Sequence, residues 1–266
     1  YKRQVYGVDT REITKIIRES GVMNAMICSD PRDFDEEKVK AYKVEKAVES
    51  VSCKKPVPLA AESPKYNVVL LDYGKKDNIA RELVKRGCNV AVMPYNTKAE
   101  DVLKLNPDGI MLSNGPGDPQ ENTECIEELK KLIGKKPIFG ICLGHQLLAL
   151  AMGAETEKLK YGHRGVNQPV KDLKTGRTYI SSQNHGYAVV NEAVEKCGGV
   201  ISYINANDGT NEGIDYPGNN AFSVQFHPEA CSGPHDTRFL FDRFIKMMGG
   251  NAVSYTHLRA HETKAN

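Results

Sequence analysis

Residues 137–151 read PIFGICLGHQLLALA. An apolar run ends at Cys142, with Gly140 two residues before it and Gly144 two after, and a second apolar run follows. The first half has the length of a buried strand and the second reads as a helix, so Cys142 stands on a strand-to-helix turn. A residue on such an elbow is strained and needs small neighbours, which the two glycines supply. A thiol at a helix start meets the helix dipole and free N–H groups, which favour a thiolate. The same N–H groups, with Leu143 first in line, suit a developing oxyanion. Taken alone, a cysteine flanked by apolar residues is most often a small buried side chain, so the rest of the chain has to decide.

Working outward, the segments 67–74, 88–95 and 108–115 are further apolar runs of strand length. They alternate with helical stretches at 77–86, 98–104 and 121–134, and a helix from about 144 to 152 follows Cys142. Buried strands alternating with helices predict an α/β fold: a doubly wound, mostly parallel sheet with helices on both faces. After Gly153 come shorter strand-like pieces with Gly, Asn and Pro turns, read as an antiparallel extension, and then a final helix over 235–249.

Upstream, residues 9–21 read as a short helix capped by Asp9, with Ile13, Ile16 and Ile17 on one face, and residues 31–50 read as charged and helical. The proline-containing KKPVPLAAESPK, residues 54–65, reads as a linker. A segment of 53 residues rarely buries its own core, and the chain starts without methionine. Residues 1–53 are therefore expected to be the C-terminal remnant of an N-terminal domain, with the main domain over 66–250. The stretch 251–266 has no apolar period and is expected to be a non-native or disordered tail.

Bulk composition excludes several classes. Among 266 residues, 36 are basic and 34 acidic, which gives no case for nucleic acid or an anionic membrane as partner. No run of about 18 apolar residues is present to span a bilayer, and the start has no signal-peptide core. The seven cysteines form no C-x-x-C pair, which fits neither a disulfide framework nor a zinc site. A reducing, cytoplasmic setting and no metal are expected.

In a doubly wound sheet, active sites form outside the carboxyl ends of the strands. SNGPGDP (113–119) follows the third strand, and FSVQFHPE (222–229) is a late strand ending in His-Pro-Glu. A cysteine nucleophile needs a base, and the base an orienting partner. In a strand, residues i and i+2 point the same way, so His227 and Glu229 can present imidazole and carboxylate to one side. The glycine turn offers backbone N–H groups for close approach; its spacing matches neither G-x-G-x-x-G nor a P-loop, so no nucleotide site is read.

Together SNGPGDP, PIFGICLGHQLLALAMGA, QNHGYAV (183–189) and FSVQFHPEA resemble the class I, triad-type glutamine amidotransferases over roughly residues 66–248. GVDTRE, KYGHRGVNQPV (160–170) and SGPHDTRFLFDRF make the chain most similar to the small subunits of carbamoyl phosphate synthetases. The resemblance implies Cys142 as nucleophile, His227 as base and Glu229 as its partner. It implies glutamine contacts at Gly115, Gly117, Leu143, Gln146, Asn184, Gly186 and Tyr187. Tyr187 stands where the family often has Phe, and Phe226 where it often has Gly. L-glutamine is then the substrate, and a large synthetase subunit the partner in a heterodimer serving arginine and pyrimidine biosynthesis. No cofactor is expected in this chain; ATP with its metal is expected on the large subunit. The rival readings are the amidotransferase of anthranilate, GMP or CTP synthesis, and a catalytically silent partner-binding subunit. His185 is read as pocket support, subunit contact or packing, and His235 as a cap of the last helix; His145 and His163 have no assigned role.

Overall fold

The computed structural model describes residues 4–231 and 233–249, so the expected tail at 251–266 lies outside the described residues. The chain opens with α1 (Thr10–Ser20), α2 (Glu36–Ala41), α3 (Ala47–Val51) and β1 (Val57–Leu59). An alternating stretch follows: β2 (Tyr66–Asp72), α4 (Asp77–Lys85), β3 (Cys88–Pro94), α5 (Ala99–Lys104), β4 (Gly109–Leu112), α6 (Thr123–Leu132), β5 (Ile138–Ile141) and α7 (Leu143–Ala151). Then come β6 (Thr156–Asp172), β7 (Thr178–Val189), α8 (Asn191–Val194), β8 (Val200–Asn205), β9 (Asn211–Tyr216), β10 (Ala221–Val224) and α9 (Phe239–Met248).

All ten strands join one sheet in the order β1-β3-β2-β4-β5-β10-β9-β8-β6-β7. β3, β2, β4, β5 and β10 run parallel, and β9, β8, β6 and β7 continue the sheet antiparallel. The parallel strands are buried on both faces because successive side chains point to opposite sides. Val69, Leu71, Ile110 and Leu112 meet Val102, Leu129 and Leu147 of α5, α6 and α7 in one core. Val68, Leu70, Met111 and Phe139 meet Ile79 and Leu83 of α4 and Phe241 and Phe244 of α9 in the other. The doubly wound expectation holds.

Four local expectations do not. Residues 31–50 form two short helices after a turn of 3-10 helix, because Asp30 and Asp35 each cap their own start. Asp30 Oδ1 accepts from the Arg32 N–H at 2.8 Å and Asp35 Oδ1 from Lys38 at 3.0 Å, and such side-chain bonds restart a helix. The segment 54–65 is not wholly irregular: β1, with Pro58, pairs antiparallel with β3 at the sheet edge, the position where a sheet tolerates a proline. Packing onto the main domain also begins before residue 53. Val48 lies in a core, the Ser52 hydroxyl accepts from the Tyr95 N–H at 3.0 Å, and the Cys53 N–H donates to Asp72 at 3.0 Å. By contrast residues 4–46 contribute only Gly21 to the buried set. Finally, α9 starts at Phe239 after Arg238, with no side-chain cap, so His235 does not cap it. The His235 carbonyl instead accepts from the Arg238 N–H at 3.1 Å in the preceding turn.

Candidate active site

Cys142 sits at φ 54°, ψ −102°, a conformation that side-chain-bearing residues rarely adopt and that costs of the order of 1–3 kcal/mol. The elbow is tied on both sides. The Cys142 N–H donates to the Val224 carbonyl of β10 at 2.9 Å, and the Gly144 N–H donates to the Ser113 carbonyl at 3.0 Å. The flanking glycines are forced by contact: a Cβ on Gly140 would lie 2.7 Å from the Gly144 carbonyl oxygen, and one on Gly144 would lie 2.5 Å from that of Leu112. The elbow therefore presses against β4, at the carboxyl edge of the parallel strands.

His227 and Glu229 reach the same edge from β10. The strand ends at Val224, so the two residues are not side by side on a strand as expected; they meet across the turn that follows. His227 Nδ1 lies 2.7 Å from Glu229 Oε1, and the His227 N–H donates to the Ser182 carbonyl of β7 at 2.9 Å. With Nδ1 committed to Glu229, Nε2 is the nitrogen left for the Cys142 side chain, which acts electrostatically on the ring. All three groups are buried. Burial opposes a charged imidazole, but Glu229 and Cys142 outweigh it and push His227 up to about 10. Burial likewise opposes the Glu229 carboxylate, yet His227 first and then Lys76 hold it below the usual carboxylate range.

The residues expected at glutamine lie on the glycine loop after β4, on α7 and on β7. Gly115 is wedged between the Tyr73 carbonyl and the Leu143 side chain, and a Cβ there would collide with both. Gly117 has φ +92° and faces Ala47 of α3. A cleft of about 320 Å³ borders this loop, lined by Lys46, Ala47, Val48, Pro116, Gly117 and Asp118. Gln146, buried on α7, donates through Nε2 to the Tyr187 carbonyl and to Gln225 Oε1, both at 2.8 Å. Asn184 is exposed on β7, with Gly186 and Tyr187 half-buried beside it. The Tyr187 hydroxyl, absent from a phenylalanine, is raised by burial first and then by Asp118 of the glycine loop.

Some contributors are not among the residues singled out from the sequence. Lys76 Nζ stands 3.5 Å from Glu229 Oε1, and Asn78 Nδ2 donates to the Glu229 carbonyl. Asn114 joins the two loops, accepting from the Lys76 N–H at 2.9 Å and donating to the Gly74 carbonyl at 3.1 Å. The available signal was position: Lys76 and Asn78 follow the carboxyl end of β2, and Asn114 follows that of β4. His145 is fully buried with Nδ1 2.8 Å from the Ser223 hydroxyl, and burial pushes it down to about 3, so it packs as a neutral ring. No metal was expected, yet His163, His185 and Glu212 place potential ligand atoms within 4.8 Å of one another. Hydrogen bonds occupy both nitrogens of His163 and of His185.

Known proteins match the chain in sequence and in fold. The family model "Glutamine amidotransferase class-I" matches residues 69–247. The carbamoyl phosphate synthase small chain of Clostridium perfringens is 51% identical over 244 residues, covering 90% of this chain and 68% of that one. The small chain of Bacillus cereus is 52% identical over 244 residues, covering 91% and 66%. That of Staphylococcus saprophyticus is 49% identical over 247 residues, covering 92% and 67%. The chain thus spans about two thirds of the length of these relatives, between 66% and 68%. A solved structure from Thermoplasma acidophilum, described as a putative GMP synthase protein, shares the fold, with a TM-score of 0.61 at 22% identity over 69% of this chain and 94% of that one. The chain belongs to the class-I glutamine amidotransferase family and, within it, to the carbamoyl phosphate synthase small chains.

Proposed function

We propose that the chain hydrolyses L-glutamine through a γ-glutamyl thioester on Cys142 and passes the ammonia to a large synthetase subunit that makes carbamoyl phosphate. His227 takes the Cys142 proton, and the sulfur attacks the side-chain amide carbon of glutamine. The oxyanion meets backbone N–H groups of Leu143 and the Gly115–Gly117 loop. His227 then protonates the departing nitrogen, ammonia leaves, and the thioester remains. Water, deprotonated by the same imidazole, attacks the thioester and releases glutamate and the thiol. Glu229 keeps the imidazole oriented and compensates its charge, with Lys76 behind it. Gln146, Asn184, Gly186 and Tyr187 hold the amino-acid end of the substrate. ATP and its metal belong to the large subunit, where the synthetase chemistry takes place.

The observation that carries this reading is the buried arrangement of His227 between Glu229, at 2.7 Å, and Cys142 on a strained elbow. The names of the relatives support the choice of synthetase. Cys142→Ser is expected to lower the glutaminase kcat by about a thousandfold or more with an unchanged urea midpoint. Retention of activity in that folded variant would remove Cys142 as nucleophile.

A further inference from the structure

β6, β7 and β9 bring a group of ionisable side chains together. His163 and His185 are register partners across β6 and β7, and their rings meet edge to face at 4.9 Å. His163 lies between two carboxylates, with Nδ1 3.1 Å from Glu212 Oε1 and Nε2 2.8 Å from Asp208 Oδ2. Glu212 is fully buried, and its Oε2 has no hydrogen-bond partner among the described residues. A buried carboxylate is retained at such a site only when a cation compensates it. His163 supplies that cation: its bond to Glu212 outweighs burial and, with Asp208, raises it to about 9.

The group is connected to the candidate active site. Glu212 Oε1 also stands 3.8 Å from His185 Nε2, which has Gln183 Oε1 at 3.2 Å. On the other side of the ring, His185 Nδ1 reaches the Tyr187 carbonyl at 2.8 Å, the oxygen to which Gln146 also donates at 2.8 Å. Gln146 is in the first turn of α7, its N–H on the Cys142 carbonyl at 3.2 Å. Polar contacts therefore run from half-exposed Asp208 to the helix that bears the nucleophile. They pass through the strand that carries Asn184, Gly186 and Tyr187.

We propose that His163 and Glu212 are positioning residues for the glutamine site, a charged pair that fixes the His185 ring and, through the Tyr187 carbonyl, the Gln146 amide. The pair touches neither substrate nor reacting atoms, and the proposal rests on the glutaminase reading of Cys142. Loss of a charge-assisted contact behind a binding wall weakens ground-state and transition-state binding alike, which raises KM and spares kcat.

The test is glutaminase kinetics of the full chain carrying His163→Gln or Glu212→Gln, each of which keeps a hydrogen-bonding side chain without the charge. A second readout is the glutamine concentration that protects Cys142 from alkylation by iodoacetamide, which needs no turnover. The expected result is a KM raised about tenfold with kcat within about twofold, and a protection midpoint raised in parallel. The double variant is expected to be little worse than either single one, as for coupled residues. Asp208→Asn removes charge at the half-exposed end with little threat to folding and is expected to raise KM about threefold. An unmoved KM in all three variants overturns the proposal, as does a fall in kcat at constant KM. Loss of wild-type activity on chelation, restored by zinc, also overturns it, by making the group a metal site. A wild-type protein without glutaminase activity would overturn the reading of Cys142 and this proposal with it. An active wild type with unmoved variants would overturn this proposal alone.

Discussion

At Cys142 the conflict between stability and chemistry can be measured at a single atom. Its φ of 54° with ψ −102° suits glycine, and the cost is borne because the sulfur must stand clear of β5 at the start of α7. Cys142→Gly is expected to be more stable than Cys142→Ala by about 1 kcal/mol in urea unfolding, since only the Cβ differs between them. Equal stabilities would mean the elbow is unstrained. The residue types at this scale were legible from the sequence: a cysteine between two glycines, and a His-x-Glu after a strand. The contacts that select Gly115, Lys76 and the Tyr187 hydroxyl were not, because each depends on a loop from another strand. Nothing local in LDYGKKDN places Lys76 beside a carboxylate more than 150 positions later.

Among the elements, α9 shows how the far face of the sheet is held. Its Phe244 is fully buried against Phe139, the ring centroids 5.9 Å apart, and Phe139 in turn stacks on Phe222 at 4.3 Å. Gly109 leaves the room: a Cβ there would lie 2.7 Å from the Phe244 ring and 2.6 Å from the Met248 sulfur. Arg243 adds two bonds to Asp215, both 2.9 Å, with its guanidinium 4.0 Å over Phe222. Phe244→Ala is expected to cost about 3–4 kcal/mol in urea unfolding. The triad is built on the opposite ends of β5 and β10, so kcat should change little at temperatures where the variant is folded. A loss below about 1 kcal/mol would mean that α9 repacks. The strand and helix order from 66 to 152 was readable because buried strands and amphipathic helices differ in period. The break within 31–50 was not, since paired aspartates compete with a run of good helix formers, and neither pattern dominates.

For the whole molecule, the raised histidines make stability depend on pH with a definite sign. Folding raises His163 from 6.5 to about 9 and His227 from 6.5 to about 10. A group raised on folding contributes its full stabilisation below the unfolded value and loses it as pH climbs through the folded one. His163 is faced by Glu212, Asp208 and His185, and His227 by Glu229 and Cys142, with Lys76 beyond Glu229. The unfolding free energy measured in urea is therefore expected to fall between pH 6.5 and about 10, by on the order of 2 kcal/mol or more, and the midpoint with it. Glu212→Gln should flatten the part of that fall below pH 9, and a wild-type midpoint that rises over the interval would contradict both assignments.

What the sequence by itself determined was the alternating order of β2 to α7, the elbow at Cys142 and the His-x-Glu pair that follows β10. These depend on the period of apolar residues and on a few residue types whose chemistry is specific at short range. The tertiary structure alone decided that Pro58 lies in an edge strand and that packing begins at Ala47. It also decided that His227 and Glu229 meet across a turn, and that His163, His185 and Glu212 share one buried site. For the two histidine sites the reason is the same. A buried charge is tolerated only where distant segments compensate it, and which segments meet is set by the strand order of the sheet, not by any local pattern of residues.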